Sequence, residues 1–163
     1  MASSAKLLNG LGLTGTAIAL ATVSIPAQAQ TVVPFNGTIV ASCILTVSTS
    51  GVLAMSTTGT EIGSEQVGGG AAVLGIVATG GAPTILFTAP SMSIKPTAYV
   101  GTPVVSLKYS SPGGANQPYT TAASQYTSTN PLGDTVTLNA KAVDSTGFTA
   151  GGYRLQTTAT CQQ

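Results

Sequence analysis

Phe35-Asn-Gly-Thr-Ile-Val-Ala-Ser-Cys43 and Tyr153-Arg-Leu-Gln-Thr-Thr-Ala-Thr-Cys161 end in the two cysteines of this chain. In each, an aromatic residue stands eight positions before the cysteine, and apolar or small residues recur at every second position. Such alternation marks a half-buried β-strand. It places both thiols on inward faces, one in the first strand and one in the last. A disulfide between them would join the ends of the folded domain. Aligned on their cysteines, the two strands set Phe35 beside Tyr153 and Ala41 beside Ala159. Phe35, Ile39, Tyr153 and Leu155 are then the candidate strand-pairing face.

The N-terminus makes a disulfide chemically reasonable. Lys6 supplies a positive start, Leu11 to Ile25 is apolar, and Ala27-Gln-Ala29 has the small-x-small form of a cleavage site. Residues 1–29 therefore read as a secretory signal peptide, with a retained membrane anchor as the alternative. Residues 30–163 form one domain, long enough for a real core. Export places the chain in the periplasm, at the cell surface or outside the cell, with no membrane span after cleavage. Paired cysteines fit those oxidising compartments, and closing so long a loop is worth about 4.7 kcal/mol in the chain-entropy model. Two free or intermolecular thiols are the alternative.

Charged residues make up only 6% of the chain, and histidine is absent. Beyond Lys6, the basic residues Lys95, Lys108, Lys141 and Arg154 balance Glu61, Glu65, Asp134 and Asp144. No basic patch is available for nucleic acid. Without histidine there is no Ser-His-Asp arrangement and no common general base. Glu61 and Glu65 sit in a polar, glycine-bounded stretch and read as solubilising charges rather than an acid pair. Gly68-Gly-Gly70 and Gly80-Gly81 lack the lysine and helix of a phosphate loop. No cofactor or metal is implied, and the chain does not read as an enzyme. Asn36-Gly-Thr38 matches a glycosylation acceptor but falls inside the expected first strand, so it reads as incidental.

Seven strands are expected: 35–47, 51–55, 73–78, 84–88, 104–109, 135–143 and 153–161. Val73 to Ala78 reads as buried on both faces. In 104–109, Val105, Leu107 and Tyr109 share a face; in 135–143, Val136, Leu138, Ala140 and Ala142 face inward. Pro90 and Pro96 bracket an edge segment. Residues 56–71 and 110–133 read as loops. Tyr119 and Tyr126, scattered among Ser, Thr, Asn and Gln, make the second loop a candidate binding surface for a glycan or protein. The pattern is that of an all-β sandwich, with a closed barrel as the alternative.

The Phe35–Cys43 segment after a signal peptide resembles the opening strand of bacterial pilin-type domains. These include chaperone–usher pilus subunits and spore coat protein U-like secreted proteins. Ala150-Gly-Gly-Tyr153 and the alternating segment after it resemble their last strand. The resemblance implies an immunoglobulin-like, pilin-like sandwich that assembles with like subunits by β-strand addition, aided by a periplasmic chaperone and usher. It implies an exported structural protein; the other reading is a secreted, adhesin-like module using 110–133. Only Gln30 to Pro34 precede the expected first strand, too few for a donor strand. Either Thr31 to Ile39 is itself the donor, or the chain does not polymerise in this way. A disulfide between first and last strands favours a completed sandwich over an open groove.

Overall fold

The computed structural model describes residues 34–130 and 132–163; the expected signal peptide lies outside them. The chain divides into two compact units, Met1–Asn36 and Gly37–Gln163. All strands belong to the second unit, and there is no helix among the described residues.

One layer is a seven-stranded antiparallel sheet. It contains β1 (Ser42–Thr49), β2 (Ala54–Met55), β3 (Glu61–Gly63), β4 (Ala72–Thr79), β7 (Val104–Ser110), β8 (Asn116–Thr120) and β10 (Gly133–Val143). The long β10 is its axis. Its first half pairs with β4 and its second half with β3. From Thr137 onward it also pairs with β7, which carries β8 at the far edge. β1 is the opposite edge, bonded to β4 alone.

The other layer holds β5 (Thr84–Phe87) between β9 (Ser124–Thr127) and β12 (Ala159–Gln162). It is extended by β6 (Ser91–Ile94) paired with β11 (Arg154–Gln156). These are two halves of one bent ladder. Across the bend, Thr88 N–H donates to Thr158 O at 3.0 Å, and Thr157 Oγ1 donates to Thr88 O at 2.7 Å.

Leu74, Ile76, Leu107, Tyr109 and Val136 of the first layer pack on Ile85 and Phe87 of the second. The Phe87 and Tyr109 rings lie 4.5 Å apart between centroids. This all-β, two-layered core is the sandwich that alternating strands demand. Val105, Leu107 and Tyr109 share a face as expected, and Val136 and Ala142 are fully buried.

Four expectations are corrected. There are twelve strand segments, because the last strand breaks into two at the bend within its layer and the expected loops carry strands of their own. Residues 34–41 form no strand, so the first begins at Ser42, not Phe35. Ser42 pairs with Thr79, the last residue of β4, and the chain then leaves the sheet through Gly80 at φ +95°. Alternation upstream of Ser42 has no partner backbone there, and a strand needs one. Residues 110–133 hold β8 and β9, and 56–71 hold β3. The polar composition of β8 and β9 reflects their edge positions, whereas β3 is flanked by β10 and β2. Finally, β4 is buried on one face only: Leu74, Ile76 and Ala78 point inward, while Val77 is 59% exposed.

Candidate strand-acceptor groove

The sheets do not close on each other along the β1 side. Between them runs a groove of about 850 Å³. Leu45 and Val47 of β1, Leu53, Leu74, Leu138 and Ala140 form one wall. Tyr153 to Ala159, the edge of the second layer, forms the other. Val47 has the inward parity of Cys43 and Leu45, yet it is 66% exposed. An inward valine in water marks the place where the second layer stops short.

Cys43 and Cys161 are disulfide-bonded, with Cα atoms 6.1 Å apart and a separation of 118 positions in sequence. They lie in different layers, so the bond is a staple between sheets. Cys43 lies two residues before Leu45 and Cys161 two beyond Ala159, so the staple stands at one end of the groove. From the staple, β1 enters the groove in the N-to-C direction through Leu45 and β12 in the C-to-N direction through Ala159, so the two strands run oppositely. The expected parallel alignment, with Ala41 beside Ala159, is therefore incorrect: Ala41 lies against Gly80, and Ala159 pairs with Phe87. The expectation that the disulfide completes the sandwich also fails. It fixes one end and leaves the rest open.

Of the four candidate strand-pairing residues, Tyr153 and Leu155 line the groove. Phe35 and Ile39 belong to no strand and are 94% and 82% exposed. Tyr153 also packs edge-on against Tyr99 and Phe148, with ring centroids 5.5 and 5.4 Å away. Its hydroxyl donates to Thr149 O at 2.8 Å. Tyr99 in turn donates to the Asp144 carboxylate. Burial and that hydrogen bond push the Tyr99 phenol well above its usual range. The Asp144 carboxyl is held below its usual value by the Thr146 hydroxyl, by Tyr99 and by the Thr146 N–H.

The free edges at β8, β9, β11–β12 and β1 differ in how they treat an incoming strand. β8 contains Pro118, which cannot donate to a ladder. It is also flanked by charge. Lys108 Nζ lies 2.6 Å from Glu65 Oε1, and Tyr119 Oη donates to Glu65 Oε2 at 2.7 Å. Lys108 and Lys141 sit 5.3 and 4.7 Å from the Tyr119 ring centroid. Hydrogen bonds from Lys108 and Tyr119 lower the Glu65 pKa, while burial and Glu65 raise that of Tyr119. β9 has only four residues, and the β11–β12 edge is bent and carries Arg154. β1, Ser-Cys-Ile-Leu-Thr-Val-Ser-Thr, has eight residues with neither charge nor proline. Proteins usually blunt such an edge.

The two tyrosines of the candidate binding loop are placed apart, each engaged within the fold. Tyr119 belongs to the charged cluster on β8. Tyr126, on β9, donates to Asp134 Oδ2 at 3.0 Å. All four acidic side chains hold internal partners, Glu61 binding Gln66 at 2.6 Å and Lys141 at 3.6 Å. No known family model, curated protein or solved structure matches this chain.

Proposed function

We propose that this is an exported structural protein that assembles at the cell surface by strand addition, an extended segment of one copy filling the groove of the next. The observation that carries this reading is the apolar groove beside the unblunted β1 edge. The incoming strand would bond the free backbone groups of β1 and drop alternate side chains between Leu45 and Leu155.

The occupant we assign is the segment from Gln30 to Ala41 of a like subunit. With β1 starting at Ser42, twelve residues precede it after the expected cleavage, and a strand needs about five to six. Phe35, Ile39 and Val40 are exposed apolar side chains on that segment. Burying each would contribute roughly 1.5–3 kcal/mol gross. Because the donor segment and the groove are different surfaces, repetition of the contact yields an open chain of subunits. The pilin-like resemblance and a periplasmic chaperone that shields the groove are consistent with this reading.

A chain beginning at Gln30 and one beginning at Ser42 test it. A labelled peptide spanning residues 30–41 should bind the shorter chain, and Leu155→Arg should abolish binding while leaving the β circular dichroism intact. The longer chain should sediment as concentration-dependent oligomers. A monomeric longer chain, with no peptide binding to the shorter one, would sink the proposal.

A further inference from the structure

Asn36-Gly37, set aside as incidental on sequence grounds, has no strand around it. The boundary between the two compact units falls between these residues. Asn36 is exposed, residues 34–41 form no strand, and a Cβ built on Gly37 would meet nothing within 4 Å. We infer that Asn36 is a self-modifying site, deamidating through a succinimide whose formation strand pairing suppresses.

The chemistry needs only this dipeptide and water. The Gly37 backbone nitrogen, losing its proton to base, attacks the Asn36 side-chain carbonyl carbon. The new C–N bond closes a five-membered imide and the side-chain nitrogen departs as ammonia. Water then opens the imide at either carbonyl, leaving aspartate or isoaspartate. Two conditions usually block this step in folded chains: a side chain on the following residue and a backbone fixed by a ladder. Gly37 lacks the first, and its freedom in φ lets the nitrogen swing toward the side chain. Residues 34–41 lack the second. Asn116 and Asn139, by contrast, lie in β8 and β10.

The product changes what the segment can do. Isoaspartate carries the main chain through the side-chain carboxyl and adds one methylene to the backbone. That breaks the two-residue period by which a strand presents alternate side chains. Resting on the strand-addition reading, an unassembled copy would lose its donor segment with age. A copy whose segment is already paired holds Gly37 extended and keeps its asparagine.

Peptide mapping of the chain beginning at Gln30, aged in mildly alkaline buffer, tests the site. Asn36 should convert faster than Asn116, Asn130 and Asn139, giving both aspartate and isoaspartate, and Gly37→Ala should slow it. Conversion at the rate of Asn139, or a glycan on Asn36 in the exported protein, would overturn the site. The same mapping on separated oligomers and monomers should show retained Asn36 in the oligomers. Equal conversion in both would overturn the shielding and count against strand addition, while the site itself would stand.

Discussion

Asp134 shows how much one residue organises in a chain with so few charges. It is 8% exposed and accepts from Ser111 Oγ at 2.7 Å, Gly113 N–H at 3.0 Å, Tyr126 Oη at 3.0 Å, Ser128 Oγ at 3.2 Å and Thr135 N–H at 2.8 Å. It thus ties the β7–β8 turn and β9 to the start of β10. Gly113 is required by the closeness: a Cβ there would lie 2.1 Å from the carboxylate. Burial pushes the Asp134 pKa up, but the hydrogen bonds from Ser111, Thr135, Tyr126 and Gly113 outweigh it and hold the group below its ordinary value. A depressed folded pKa contributes stability above the unfolded value, about 3.9, that is lost as pH falls through the folded value. Urea midpoints of the native protein should therefore drop below about pH 4. Asp134→Asn should flatten that acid limb and cost roughly 3 kcal/mol at neutral pH. An unchanged acid limb would show that the carboxylate is not the group responsible. Tyr109 is the opposite case. It is 1% exposed and its hydroxyl has no hydrogen-bond partner among the described residues. Tyr109→Phe removes an unsatisfied polar atom from the core and should raise stability by roughly 1 kcal/mol, read as a higher urea midpoint at constant slope.

At the scale of the element, alternation located most strands, and partners decided where they stop. The pattern in Thr135 to Val143 matches β10 because both of its edges are occupied. The pattern in Phe35 to Ala41 is equally regular and forms nothing, because β4 has already turned away at Thr79. β8 and β9 were hidden for the converse reason. Edge strands need only one apolar face, and Asn116-Gln-Pro-Tyr-Thr120 has scarcely that, yet it pairs with β7. Pro118 then leaves the β8 edge short of a donor. Pro118→Thr should restore a pairing-competent edge on the side opposite the groove. Light scattering of the shorter chain, which lacks the donor segment, should then show association that the parent does not. A variant as monomeric as the parent would mean that the charged cluster at Glu65, Lys108 and Tyr119 blunts this edge alone.

At the scale of the whole molecule, one covalent bond spans the layers on the open side. In the chain-entropy model, reduction should lower stability by about 4.7 kcal/mol, and heating in the presence and absence of reductant measures it. The Cys43→Ala, Cys161→Ala double variant should behave as the reduced protein does. It should also bind the 30–41 peptide less tightly, because the staple sets the width of the groove at one end. Undiminished binding would confine the disulfide to stability. A two-residue period and chain chemistry carry the all-β class, the inward face of β7 and β10 and the two cysteines as candidate partners, but not the single buried face of β4, which reads in sequence as buried on both. Of the four candidate strand-pairing residues, Tyr153 and Leu155 line the groove while Phe35 and Ile39 lie in no strand. Only the tertiary structure decided that the cysteines join different layers, that β1 and β12 run oppositely, and that a groove stays open between them. A groove is made by what fails to cover a face. That depends on where the chain crosses from one sheet to the other, as it does at Gly80 between β4 and β5, and no periodicity within a strand records it.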